Sequence, residues 1–498
     1  LESTDSLQQK PEEFNLPKEI FELQQILKEK GLPPIEVPST LNDPLSRTDI
    51  GNAEKLLILH GRNLRYIFPW KQWLIYDGTR WKTDNTGEIM KCAKDVSRDY
   101  AKQAAYCLDS NQYKSLLKQA INTARNKTIR DLIDLARNEL AIVPEQLDNN
   151  NMLLNLSNGT LDLKTAELRE HNPIDYISKI VPIEFDEKAL CPHWEKFLGE
   201  IMDGNENLIS FLQLAVGYSL TGQTTEQCLF ILHGSGANGK SVFLETIRNL
   251  LGDYAKVTPI DSLLIKNNDS IPNDVAALKG SRFVMATESD EGKRLAESKI
   301  KQLTGQDEIA ARFMRGEFFT FKPEFKLWLA TNHRPEIKGT DAGIWRRIRL
   351  IPFEVTIPPS QQDKNLTNKL KDELPGILNW AVSGCLAWQR DGLFIPKEVE
   401  EATLSYRAEM DHLSEFLNEK CGFDPMAKTY SFNIFETYCN WCQENQETPL
   451  TAKKFGLRLK ELGCSQIRMN DKNGSKGWQG IFIQMGQTSQ KILERVGA

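Results

Sequence analysis

The chain has 498 residues, 40% of them hydrophobic and 26% charged, with a formal net charge of −6. That length exceeds what one hydrophobic core organises, so three or four domains are expected, and the composition excludes a disordered or collagen-like chain. No apolar run reaches the ~18 residues of a membrane helix and no cleavable leader is legible, while nine scattered cysteines exclude a disulfide framework and point to a reducing, cytoplasmic setting.

Residues 1–47 hold six prolines around one amphipathic stretch, 18–30, with Ile20, Leu23 and Leu27 on one face. A linker carrying a docking helix is expected there. Leu1 in place of Met is expected of a fragment or a processed product. A folded domain of mixed α+β type is expected over 48–190. Trp70, Trp73, Tyr76 and Trp81 surround the turn Asp77-Gly78 and predict a hairpin over 72–81. Helical patterns follow over 88–140, then a β-rich piece over 153–185 around the turn Asn158-Gly159. Aromatic side chains on strands are read as core before they are read as base-stacking groups. Residues 192–221 predict two amphipathic helices, and 191–225 is expected to form a helical collar.

The next stretch organises the chain. Leu229-Phe230-Ile231-Leu232 is an apolar strand pattern that runs into Gly234-Ser235-Gly236-Ala237-Asn238-Gly239-Lys240-Ser241 and then Val242-Phe243-Leu244. The order strand, G-x-x-x-x-G-K-S, helix is that of a phosphate-binding loop: glycines let backbone N–H groups turn inward, and a helix N-terminus adds its positive dipole end. Lys240 is expected to reach the β- and γ-phosphates of ATP and the Ser241 hydroxyl to hold Mg²⁺. About fifty residues on, Phe283-Val284-Met285-Ala286-Thr287 is a second buried-strand pattern ending at Glu288, a carboxylate fit to orient a water and to support the Mg²⁺ shell. A hairpin is expected over 309–322, with Arg315-Gly316 near its tip, followed by a third apolar strand ending in Thr331-Asn332. Arg346 and Arg347 then precede the apolar run 350–353, where a guanidinium is able to act on a neighbouring subunit's nucleotide.

Helices are expected over 359–410. Beyond 411 the pattern is helix, helix, helix, hairpin, which suggests a winged-helix-like DNA-binding domain. Between 451 and 478, Lys453, Lys454, Arg458, Lys460, Arg468, Lys472 and Lys476 face only Glu461 and Asp471, a local basic excess in an acidic chain. Cys439 and Cys442 form a C-x-x-C pair on a predicted helix with no second pair at zinc spacing, so no metal site is expected there.

Taken together, the phosphate loop, Glu288, Lys301-Gln302-Leu303-Thr304-Gly305, Leu329-Ala330-Thr331-Asn332 and Trp345-Arg346-Arg347-Ile348 resemble the helicase module of the phage/plasmid primase family. That family is related to the poxvirus primase-helicase and lies within the superfamily 3 helicases of the AAA+ class. Thr48-Asp49-Ile50-Gly51-Asn52-Ala53 and Asn158-Gly159-Thr160-Leu161-Asp162-Leu163 resemble the domain preceding that module, so the resemblance covers 48–410. It implies an α/β fold with an AAA+ type P-loop core over 226–358, a homo-oligomeric ring, hexameric in number, and ATP- and Mg²⁺-driven movement along single-stranded and forked DNA, 3′ to 5′. It also implies a bacterial host cytoplasm and a primase or primase-polymerase domain upstream. Position by position, Gly234 to Ser241 bind nucleotide, Ser241 and Glu288 serve the metal, Glu288 is the Walker B acid, Asn332 the polar sensor and Arg346 or Arg347 the arginine finger. Arg312, Arg315 and Lys322 on the hairpin would hold DNA, as would Lys453, Lys454, Arg458 and Lys476 in the C-terminal domain. Relatives often pair two Walker B acids, whereas Glu288 stands between Thr287 and Ser289, leaving Asp290 or Glu291 for a second. A regulatory, loading or origin-binding ATPase that does not unwind DNA is the alternative.

Overall fold

The computed structural model describes residues 48–107, 109–265, 273–287, 293–312, 318–337, 342–445, 447, 449–471 and 474–484. The linker 1–47 with its expected helix over 18–30, Glu288 with Asp290 and Glu291, Arg315 and Lys472 lie outside the described residues. The chain divides into two compact units, one of residues 1–149 with 172–178 and one of residues 150–171 with 179–498.

The first unit begins with α1 (Asp49–His60), whose start is capped by the Thr48 hydroxyl accepting from the Gly51 amide. The antiparallel sheet β1 (Leu64–Ile67), β2 (Gln72–Tyr76) and β3 (Trp81–Thr83) follows, then α2 (Glu88–Ala105), α3 (Ser110–Thr123) and α4 (Asn126–Glu139). The expected hairpin exists, and its turn is held by Asp77, which accepts from the Thr79 and Arg80 amides. Trp73 and Trp81 are core, and the Trp81 indole N–H donates to the Pro173 carbonyl at 2.8 Å. Trp70 is partly exposed.

The second unit opens with the antiparallel sheet β4 (Leu153–Leu156), β5 (Gly159–Asp162) and β6 (Glu167–Arg169), joined at the expected Asn158-Gly159 turn. Of the segment expected over 48–190, residues 150–171 and 179–190 fall in the second unit. Leu154, Leu156, Leu161 and Leu163 are buried in one cluster with Trp194, Phe243 and Ile351, so this β-rich piece packs with the phosphate-loop region. Helices α5 (Pro192–Ile201) and α6 (Glu206–Leu220) match their sequence pattern, and their apolar faces are spent in that same cluster.

At the centre lies a parallel sheet of β7 (Leu229–His233), β8 (Ala255–Val257), β9 (Phe283–Thr287), β12 (Lys326–Thr331) and β13 (Ile348–Pro352), in the order β13-β7-β12-β9-β8. Both faces are covered, as parallel sheets require. Phe230, Leu232, Phe283, Met285, Trp328 and Ile351 face one cluster, while Leu229, Ile231, Val284, Leu327, Leu329 and Leu350 face the other. Helix α7 (Lys240–Leu251) follows β7, and α8 (Glu297–Leu303) precedes the hairpin β10 (Ile309–Arg312) and β11 (Phe318–Phe321). The helices α9 (Leu366–Asp372), α10 (Leu374–Asp391) and α11 (Lys397–Glu409) come next. Helices α6 and α10 meet at glycines: a Cβ on Gly217 would lie 2.1 Å from the Cys385 nitrogen.

The C-terminal part runs α12 (His412–Lys420), β14 (Cys421–Tyr430), α13 (Ser431–Glu444), α14 (Ala452–Glu461), β15 (Ser465–Arg468) and β16 (Lys476–Ile483), with antiparallel sheet order β14-β16-β15. Phe416, Tyr438, Trp441, Phe455, Leu459 and Trp478 form its own core. Cys442 is buried there on α13. No described helix is long and apolar enough to cross a membrane.

Candidate nucleotide site

The parallel register decides what meets at the carboxyl edge of the central sheet. His233 at the end of β7 pairs with Thr331 at the end of β12, and Ala330 of β12 pairs with Thr287 at the end of β9. The phosphate loop, Asn332 and the end of β9 at Thr287 therefore lie side by side at the sheet edge. This is the crevice where open parallel sheets bind ligands. Thr287, Asn332 and Gly236 to Ser241 line a cleft of about 800 Å³, with Glu288 next in the chain after Thr287.

The loop conformation needs its sequence. Gly236 and Gly239 adopt φ of +111° and +80°, in the region that favours glycine. Gly234 is required by space: a Cβ there would lie 2.1 Å from the Phe353 carbonyl oxygen and 2.2 Å from the Asn238 amide nitrogen. Asn238 donates from that nitrogen to the Phe353 carbonyl at 3.1 Å, which ties the loop to the end of β13. Lys240 opens α7 and is 5% exposed. Its ammonium donates to Gly234 O at 2.9 Å, Asn238 Oδ1 at 2.9 Å and Asn332 Oδ1 at 3.0 Å. Burial lowers its pKa from the ordinary lysine value. Among the described residues the cation is held by three neutral oxygens and no carboxylate, which suits it to receive an anion. Loop N–H groups and the α7 N-terminus stand beside it for the same purpose.

The fit of Mg²⁺ rests on the donor set. That ion takes oxygen ligands and is commonly held by one or two protein groups together with substrate phosphates. Ser241, on the first turn of α7, offers a hydroxyl at the cleft wall, and in the sequence Glu288 is the residue after Thr287 and brings a carboxylate of the donor type the ion takes. These residues fit the ion.

The outer wall was not legible in the sequence. His193, Lys196 and Glu200 of α5, and Gln361, Asp363, Thr367 and Lys369 around α9, line the cleft without any motif to mark them. Glu373 joins the two sides by accepting from the His193 and Trp194 amides, each at 3.0 Å.

The two arginines lie elsewhere. They precede β13, whose first residue pairs with Leu229 at the amino end of β7, so about 13 Å of strand separates them from their own chain's loop. Arg346 is exposed and donates to Gln227 Oε1 at 3.0 Å. Arg347 is 8% exposed, and donates to the Gly343 carbonyl at 2.5 Å and to the same Gln227 oxygen at 3.2 Å. Gln227 carries no sequence signal.

On the hairpin, Arg312 ends β10 and its guanidinium lies 4.8 Å from the Phe318 ring centroid. Lys322 follows β11 at the hairpin's other end and is exposed. In the C-terminal part, Lys453, Lys454, Lys460, Arg468 and Lys476 are exposed. Arg458 is committed within the chain, to Asp411 at 3.1 Å and Glu461 at 2.8 Å.

Residues 53–203 match the family model described as D5 N terminal like, and residues 232–347 match a family of unknown function, DUF5906. A "Putative helicase" of Acanthamoeba polyphaga mimivirus is 30% identical over 322 residues, 60% of this chain and 33% of that one. A "Putative primase" of African swine fever virus is 25% identical over 378 residues, 67% of this chain and 38% of that one. The chain thus spans little more than a third of these relatives' lengths. The apo structure of the NrS-1 C-terminal region aligns with a TM-score of 0.47 and 8% identity, over 84% of this chain and 96% of that one.

Proposed function

We propose that the chain, whose residues 53–203 match the D5 N-terminal-like model and whose viral relatives are named putative helicase and putative primase, is a member of the primase-helicase family and is the ATP-dependent DNA helicase part of a primase-helicase. The observation that carries the reading is the Lys240 ammonium, held by Gly234, Asn238 and Asn332 at the sheet edge beside Thr287. ATP's β- and γ-phosphates would replace Asn332 as partners of Lys240, and Asn332, released, would face the γ-phosphate or the attacking water. Ser241 and Glu288 would hold Mg²⁺, which supplies charge neutralisation to the phosphates. Glu288 would also orient the water.

The strand order β13-β7-β12-β9-β8 supports the AAA+ class, and the Asn332 sensor and ordered motifs support superfamily 3 within it. The distance of Arg346 from its own loop favours action in trans, hence a homo-oligomeric ring, taken as a hexamer. Of the two arginines, the exposed Arg346 is the better finger, and the buried Arg347 anchors it through Gln227. Arg312, Arg315 and Lys322 would grip single-stranded DNA phosphates, with movement 3′ to 5′. The order helix, strand, helix, helix, strand, strand from α12 to β16 is that of a winged helix, with α14 in the recognition position. Its exposed Lys453, Lys454 and Lys476 would contact duplex phosphates, whereas Arg458 serves the fold. A primase domain would lie upstream, and the whole would act in the cytoplasm. The test is strand separation of a forked duplex with ATP and Mg²⁺, against Lys240→Ala as the inactive control.

A further inference from the structure

The hairpin of β10 and β11 has two unlike faces. Its register pairs Ile309 with Phe321, Ala311 with Phe319, Ala310 with Thr320 and Arg312 with Phe318. Directly opposed residues share a face and successive pairs alternate. Ile309, Ala311 and Phe321 are buried in the core cluster, with Phe319 packed against it, so that face anchors the hairpin. The other face carries the small, exposed Ala310 and Thr320, and then, next to the tip, Arg312 and Phe318. Phe318 is 65% exposed, so folding does not need its ring. Arg312 covers the ring at a guanidinium-to-centroid distance of 4.8 Å. Among the described residues no other aromatic ring stacks on it.

We propose that Phe318, backed by Arg312, stacks against a base of single-stranded nucleic acid, so that the hairpin holds bases as well as phosphates. This rests on the helicase reading and adds a residue and a contact mode to it. A flat ring with a cation on one side leaves its other side for a nucleobase, and the guanidinium supplies charge attraction to the adjoining phosphate. The small side chains of Ala310 and Thr320 leave room for a strand along the same face. Exposed Lys322 and Glu308 both lie at the hairpin base, one residue beyond the Ile309–Phe321 pair, and Lys279 lies over the Phe319 ring, so Arg312 is the cation beside Phe318. Stacking tolerates any base, as a translocating strand requires.

The test is anisotropy of a fluorescent oligothymidylate, and of an abasic strand of equal length and charge, with the full chain and a non-hydrolysable ATP analogue. Phe318→Ala is expected to weaken oligothymidylate binding by about tenfold and to leave the abasic strand unaffected. Phe318→Trp should restore binding and Phe318→Leu should not. The salt dependence should stay parallel to that of the unsubstituted chain, because no phosphate contact is removed. Equal affinity of Phe318→Ala and the unsubstituted chain for oligothymidylate overturns the proposal. So does an equal loss on both strands, or full binding by Phe318→Leu. An unsubstituted chain that binds both strands alike refutes the stacking alone, whereas one that binds neither refutes the helicase reading on which it rests.

Discussion

Asn332→Ala separates two roles that the site geometry gives one residue. The Lys240 ammonium divides its donors among three oxygens, and two of these are fixed by the loop itself. Asn238 is anchored to the Phe353 carbonyl, and Gly234 O is backbone. Asn332 is exposed and belongs to another strand, so its bond of 3.0 Å is the one an arriving phosphate displaces. A hydrogen bond to a charged group contributes about 1.5–3 kcal/mol, and water replacing an exposed partner lowers this to about 0.5–1.5 kcal/mol. In Asn332→Ala a β-phosphate no longer has to break that bond, so ADP should bind about 2- to 10-fold more tightly. ATP turnover should fall at the same time, because the γ-phosphate or the water loses its partner. Calorimetric titration with ADP and steady-state turnover measure the two effects. Weaker ADP binding would mean that Asn332 holds the nucleotide directly. Unchanged turnover would remove it from the catalytic site.

Arg346→Ala and Lys240→Ala chains, each inactive alone, should recover part of their ATPase when mixed, since one mutant still offers an intact loop and the other an intact finger; no recovery in rings shown to be mixed counts against trans action. Gly217→Ala should lower the denaturant midpoint by the equivalent of at least about 1–3 kcal/mol, since its Cβ would lie 2.1 Å from the Cys385 nitrogen and force α6 and α10 apart; an unshifted midpoint would show that the helices separate without loss. In the first unit, burial raises and hydrogen bonds more strongly lower the carboxyl pKa of Asp77, through Lys82, Arg80 and Thr79, and of Asp84, through the amides of Ile89, Glu88, Thr86 and Gly87. Both pKa values are held below 3.8, so the stability they contribute is complete above that pH and is lost as the pH falls through the folded values. Asp84→Ala should therefore be less stable at pH 7 and should lose less on acidification, read by tryptophan fluorescence; an acid limb identical to that of the unsubstituted chain would contradict this.

The elements that the sequence exposed were those whose pattern is local. Leu229-Phe230-Ile231-Leu232 and Phe283-Val284-Met285-Ala286 read as buried strands because both faces of a parallel strand are covered. The loop glycines read as such because φ and space leave no other residue. Partners distant in sequence were not legible. Gln227, which receives both arginines, and Glu373, which links α5 to α10, are ordinary polar residues until the fold brings them to their donors. Lys326 misleads in a different way: within the expected strand it is the charged residue, yet it is 2% exposed. Its ammonium donates to the Thr221, Gln223 and Glu324 carbonyls and lies 4.7 Å from the Tyr218 ring centroid, binding β12 to the end of α6.

The central claim, that the Lys240 site drives strand separation, is tested most directly with the full chain on a fluorescently labelled forked duplex, in ATP and Mg²⁺. The account predicts ATP-dependent release of the labelled strand, faster on a fork with a 3′ tail than on one with a 5′ tail, and none with Lys240→Ala. ATP turnover abolished by Lys240→Ala but accompanied by no strand release on any fork would contradict it and leave an ATPase that does not unwind DNA.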